Sequence, residues 1–222
     1  QTMESVVLDE LVAQGLTLAT AESLTGGMIG SRLTAVSGSS RAYRGSVVAY
    51  AGDVKRGLLG VPEGPVVSEE AVTAMATGAC RVLGADVSVA VTGVAGPEPH
   101  DGQEPGTVWM ATCVDGRVEA VRARFPFDRT RTREFTVISV LDALRLRLLD
   151  GAGKNAGEGV TAGGAKRLAG RGHQGRHPVM VGKADPAVFG NLQNFGLRTF
   201  GRNNRQIDDI AIADFRQFAV RH

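Results

Sequence analysis

Through residue 150 the chain alternates segments of helical apolar spacing with single short apolar strands, and that alternation leaves few folds open. Val6, Val7, Leu11 and Val12 recur at helical spacing over 3–14, with Gly15 as the stop. "LTLATA" reads as a strand, "ESLTGG" as a turn and "MIGSRLTAV" as a second helix. "GSVVAYA" is the next strand, followed by a short helical turn over 53–59. Ser68 offers an N-cap hydroxyl to a helix reaching residue 83, with Glu69 and Glu70 at its positive end. "DVSVAVTG" is a buried strand, and "GTVWMATCV" and "RVEAVRARF" flank Asp115-Gly116, a strong signal for a tight hairpin. An amphipathic helix over 129–149 places Val137, Leu141, Leu144 and Leu148 on one side. Helices interleaved with strands, plus one hairpin, predict an α/β fold: a three-layer α/β/α sandwich around a mixed sheet.

The pattern stops at Gly151. Through residue 150 there are 14 Lys and Arg against 18 Asp and Glu; beyond it there are 11 against 5. The stretch "GAGKNAGEGVTAGGAKRLAGRGHQGRHP" is rich in glycine and poor in large apolar groups, so it cannot bury enough surface to offset its ordering entropy. The expected organisation is one domain over 1–150 and a Gly-rich, basic, flexible tail over 151–222. That tail has a linker to about residue 178 and one short helix over 206–220. No stretch approaches the roughly 18 apolar residues that span a bilayer, and the acidic start lacks the basic region of a signal peptide. Cys80 and Cys113 read as small buried hydrophobes of a reducing compartment. A cytoplasmic protein is expected.

Two Gly-rich junctions follow strands: "TAESLTGG" and "VTGVAGPEPHDGQEPGT". Such turns present backbone N–H groups to an anion, and two of them at the strand ends of one sheet suggest a shared site. Histidine is nearly absent, with only His100 before the tail, which disfavours a Ser-His-Asp hydrolase and a zinc centre. Glu98, Asp101 and Glu104 could hold a hard cation, but a solvated acidic loop is the preferred reading. Lys55 is the single lysine among the 14 basic residues of 1–150. Arginine cannot give up its proton, whereas a partly buried lysine can, so Lys55 is either a base or a helix-end cation.

The motifs "TAESLTGG", "GSSRAYRGSVVAYAGDVKRGLLGV", "VSEEAV", "VTGVAGP" and "PGTVW", in this order, closely resemble the CinA C-terminal domain family, also known as nicotinamide-nucleotide amidohydrolase or PncC. The match covers about 6–149. The resemblance implies a three-layer α/β/α domain that deamidates nicotinamide mononucleotide to nicotinate mononucleotide and ammonia, through a serine–lysine mechanism with no metal and no cofactor. Many members carry a larger nucleotide-processing domain ahead of this one. Carried over, Ser40 in "GSS" matches the nucleophile, Lys55 the base and Tyr50 the nearby tyrosine. Ser23, Thr25 and Gly26 fall in the same pocket, with Ser23 the alternative nucleophile. Thr92 matches a hydroxyl near the reacting amide. Arg129 matches a basic residue after the last strand, with Arg133 a second candidate. The oxyanion donors would be amides near Ser39 and Ser40 or in the turn from Ser23 to Gly27. The phosphate would go to a Gly-rich turn or to Arg129. Expected partners are the small-molecule nucleotide and a second copy in a homodimer, with no membrane contact and a nucleic-acid contact by the basic tail. Two other classes stay open: a non-catalytic nucleotide-binding module, and a structural partner domain.

Overall fold

Helix α1 (Met3–Gln14) starts at Thr2, whose hydroxyl accepts the Ser5 N–H at 3.3 Å, and stops at Gly15, left-handed at φ 66°. Strand β1 (Leu18–Glu22) runs through a tight loop into α2 (Met28–Thr34). A 3-10 turn (Ser39–Arg41) then leads into β2 (Tyr43–Val48). A single helical turn, α3 (Gly52–Val54), widens into a π-turn (Lys55–Leu59). The expected cap holds at α4 (Glu69–Leu83), where the Ser68 hydroxyl accepts the Ala71 N–H at 3.1 Å. Strands β3 (Val87–Gly93), β4 (Thr107–Val114) and β5 (Arg117–Arg124) follow, the last two joined at Asp115-Gly116. Helix α5 (Arg129–Gly157) and a two-residue strand β6 (Met180–Val181) complete the elements. This computed structural model describes residues 1–157 and 180–181, and these elements belong to one compact unit, Thr2–Lys183.

The sheet is mixed, in the order β2-β1-β3-β4-β5-β6. β2, β1 and β3 are parallel, β4 is antiparallel to both neighbours, and β6 is parallel to β5. Side chains alternate faces along a strand, and here they also alternate in size. Leu18, Val87, Val89, Val91, Val108 and Met110 bury one face against α1, α2 and α5. Ala19, Ala21, Ala90 and Ala111 bury the other against the alanine-rich α4. Small residues on both partners bring α4 close to the sheet, and these layers are the expected α/β/α sandwich. Cys80 on α4 and Cys113 on β4, distant in sequence, belong to this second core.

Two expectations near residue 150 change. Helix α5 continues through Gly157 instead of ending at 149, because propagating a long helix is far cheaper than nucleating one and Gly weakens it without breaking it. A boundary at residue 150 therefore falls inside a helix. Met180 also pairs with Arg117 on β5, so a piece of the expected tail adds an edge strand. Of the linker expected over 151–178, residues 151–157 are the end of α5 and the rest lies outside the described residues, as does the helix expected over 206–220.

Gly78 sets the contact between α4 and the π-turn. A Cβ there would lie 2.3 Å from the Leu59 carbonyl oxygen and 2.8 Å from its Cα. Alanine would improve helix propensity by about 1 kcal/mol, but the obstacle is backbone that cannot rotate away. Overpacking wins, and Gly78→Ala is expected to destabilise by about 1–3 kcal/mol, read as a lowered Tm in thermal denaturation. An unchanged Tm would mean that α4 does not seat on this turn.

Candidate functional site

The parallel strands β1, β2 and β3 end side by side, with Glu22 in register with Val48 and with Val91. Ligands of open α/β sheets bind beyond the carboxyl ends of such strands, and a pocket of about 550 Å³ opens there. Ser23 enters it directly after β1, Tyr50 after β2, and Lys55 from the π-turn. Arg129, at the start of α5, closes one side. Its guanidinium donates to the Tyr50 hydroxyl at 2.9 Å and to the Gly96 carbonyl at 3.3 Å. Tyr50 is exposed and Ser23 and Lys55 are buried, so the pocket runs from a wet rim to a closed floor.

The loop that presents Ser23 is built around Glu22, an acid inside the "TAESLTGG" motif with no chemical signature of its own. Its carboxylate is fully buried, and one oxygen accepts from the Thr25 hydroxyl at 2.7 Å and from the Gly27 and Ile29 N–H groups at 3.0 and 3.1 Å. The other accepts from the Gly30 N–H at 2.9 Å and the Ser46 hydroxyl at 3.1 Å. A buried carboxylate is tolerated only when its lone pairs are met this fully. The amides at the start of α2, which the Gly-rich turn offers to an external anion, are thus filled from within. From outside, Arg133 donates to the Leu24 and Thr25 carbonyls at 2.9 and 2.8 Å. The Ser23 and Gly26 amides are also committed, to the Val91 and Ser23 carbonyls.

Lys55 is 3% exposed, and among the described residues no carboxylate lies within ion-pair distance of it. Its Nζ lies 3.5 Å from the Thr92 hydroxyl, which itself donates to the Val66 carbonyl at 2.8 Å. Burial lowers the Lys55 pKa below the ordinary lysine value; the charge of Asp101 raises it in part, and Arg56 lowers it further. A desolvated ammonium beside one neutral hydroxyl is poised to lose its proton. The π-turn that carries it is an uncommon helical form, found mainly at functional sites.

Several expected site residues stand elsewhere. Ser40 lies in the exposed 3-10 turn before β2, whereas Tyr50 and Lys55 follow that strand. The five steps from Tyr43 to Val48, at about 3.3 Å each, put roughly 16 Å of strand between them, so no Ser40–Lys55 dyad forms. Ser39, its neighbour, is at the same wrong end and can supply no oxyanion donor. Thr25 is buried with its hydroxyl committed to Glu22, and Gly26 (φ 62°) makes the turn; neither lines the pocket. Thr92 is fully buried beside Lys55 and does not itself line the pocket. Arg133 braces the Ser23 loop from behind. Among the described residues no three His, Cys, Asp or Glu side chains gather where a metal ion could be held, and no helix is long and apolar enough to cross a membrane.

The chain is an α/β/α domain that gathers a buried lysine and a loop serine into one pocket at the ends of its parallel strands. The family model of the CinA C-terminal domain matches residues 1–148, and the chain belongs to the CinA family. A CinA-like protein of Gemmatimonas aurantiaca is 43% identical over 160 residues, 69% of this chain and 37% of the relative. One of Frankia casuarinae is 44% identical over 155 residues, 68% of this chain and 36% of the relative. The chain thus spans little more than a third of the length of these curated relatives. The crystal structure of a competence-damaged protein (CinA) superfamily protein from Klebsiella pneumoniae superposes with TM-score 0.64 at 34% identity, over 68% of this chain and 99% of that one. One from Escherichia coli gives TM-score 0.62 at 34% identity, over 67% and 90%.

Proposed function

We propose that this pocket hydrolyses the carboxamide of nicotinamide mononucleotide, with Ser23 as nucleophile and Lys55 as general base. The observation that carries the reading is Lys55: the single lysine of 1–150 lies buried, in contact with a neutral hydroxyl, in the pocket that Ser23 lines. Substrate identity follows the family resemblance. A volume of about 550 Å³ is within the range of small-ligand sites.

In this reading neutral Lys55 accepts the Ser23 proton as Oγ attacks the carboxamide carbon. The tetrahedral intermediate collapses to an ester as the nitrogen takes that proton and leaves as ammonia. Water, deprotonated by Lys55, then cleaves the ester to nicotinate and restores Ser23. Of the loop amides, only those of Leu24 and Thr25 have no acceptor among the described residues, and Leu24, next to the nucleophile, lines the pocket, so its N–H is assigned to the developing oxyanion. Tyr50 and Arg129 form the rim. Because Glu22 fills the amides of α2, the substrate phosphate falls to Arg129.

The test is ammonia release from nicotinamide mononucleotide against nicotinamide riboside, which lacks the phosphate. The mononucleotide is expected to turn over faster. Arg129→Ala should raise its KM about 10- to 100-fold, the loss of one charge-assisted contact, and leave the riboside unaffected. Tight nucleotide binding without ammonia release would replace this reading with a non-catalytic nucleotide-binding module.

A further inference from the structure

The strap between the π-turn and α4 passes over Thr92, and one residue of it is held from both sides. The Val66 carbonyl accepts the Thr92 hydroxyl at 2.8 Å, and the Val66 N–H donates to Asp101 Oδ2 at 2.7 Å. A threonine hydroxyl has one hydrogen, and here it goes to Val66. Thr92 therefore meets Lys55 only as an acceptor, which fixes one Lys55 N–H toward Thr92 and leaves the rest of the nitrogen for the pocket. The chain of contacts runs from the loop after β3, through the strap, to the lysine.

We infer that Asp101 is a positioning residue for the proposed reaction, holding Lys55 through Val66 and Thr92 while facing it with a fixed negative charge. The inference rests on the reading of Lys55 as base. Five other titratable side chains line the pocket with Lys55: Tyr50, Arg56, Glu98, His100 and Arg129. Of these and Asp101, Asp101 is the one acid whose charge bears on Lys55, and Arg56 is the opposing cation. Asp101 also adopts a left-handed backbone at φ 51°, a conformation in which Asp and Asn are enriched. The loop is bent there so that the carboxylate turns back onto the strap.

Asp101→Asn separates the two roles, because it keeps an acceptor for the Val66 N–H, suits the backbone and removes the charge. Asp101→Gly also suits the backbone and removes both. The readout independent of catalysis is the titration of the Lys55 ε-methylene in full-length protein carrying 13C-labelled lysine, with Lys55→Met identifying its signal among the four lysines. The midpoint should fall in Asp101→Asn and stay in place in Glu104→Gln, an acid of the same loop that does not line the pocket. On nicotinamide mononucleotide, Asp101→Asn should move the rising limb of the pH profile to lower pH. Asp101→Gly should in addition lower the high-pH plateau of kcat about 10- to 100-fold, with little change in KM. An unchanged Lys55 midpoint in Asp101→Asn overturns the inference, as does a wild-type plateau in Asp101→Gly. If the wild type releases no ammonia, the amidase reading fails on its own, and the Lys55 midpoint still decides the tie to Asp101.

Discussion

Ser23→Ala is expected to abolish ammonia release, with a loss of about 10³- to 10⁶-fold in kcat, while Ser40→Ala keeps wild-type turnover. Removing a covalent nucleophile costs the whole acyl-enzyme route. Ser23 is buried, directly follows β1 and shares the pocket with Lys55. Its loop is over-determined, with Glu22 accepting five hydrogen bonds inside and Arg133 bridging two carbonyls outside. Loss of one hydroxyl leaves that scaffold in place, so Ser23→Ala should fold and bind nucleotide normally. Ser40 lies on an exposed turn at the other end of β2, where a truncation costs within about 0.5 kcal/mol. Steady-state ammonia release by both variants, with nucleotide binding measured alongside, makes the comparison. An inactive Ser40→Ala beside an active Ser23→Ala would reverse the assignment and require a rearranged β2.

That contrast shows what was legible in the chain. The layers were readable because segments of helical apolar spacing alternate with short apolar strands; the division of large and small strand residues between the two faces was not read, because it takes the sheet register to show it. Lys55 was readable from its rarity, since a domain that otherwise uses arginine has reason to keep one residue able to lose a proton. Ser40 looks as good as Ser23 by composition: both sit in Gly-rich turns beside motif residues. The discriminating signal is chain direction, because Ser40 precedes the strand that Tyr50 and Lys55 follow. Glu22 and Asp101 were not legible as structural posts. An acid at a strand end or in a Pro/Gly loop reads as solvated, and only tertiary contacts reveal the five donors around one and the Val66 amide on the other. The reach of α5 past residue 150 was hidden for a related reason. Glycine-rich composition argues against starting a helix, and says less about extending one already formed.

Lys55→Arg and Lys55→Met test the base through two independent observables. Arginine keeps the charge and cannot release its proton; methionine keeps the apolar stem and has no charge. A base is lost in both, so both should fall by at least about 10²-fold in kcat/KM, whereas a charge clamp would survive in Lys55→Arg. In the wild type, activity should rise with pH as Lys55 deprotonates, with a midpoint below the ordinary lysine value because burial dominates its environment. Stability should follow the same group. A lysine whose folded pKa is lowered binds fewer protons folded than unfolded, so unfolding free energy rises with pH between the folded and the unfolded values. Below that window the fold carries the full penalty of a buried ammonium. Lys55→Met removes both the penalty and the slope, so it should be more stable than wild type at low pH and converge with it at high pH. Denaturant unfolding at several pH values measures this without reference to catalysis. Near-normal turnover in Lys55→Arg would sink the base, and a flat stability difference would show that Lys55 is solvated in solution. The two expected outcomes together describe a residue that the fold tolerates at a cost, which is the usual mark of a group retained for its chemistry.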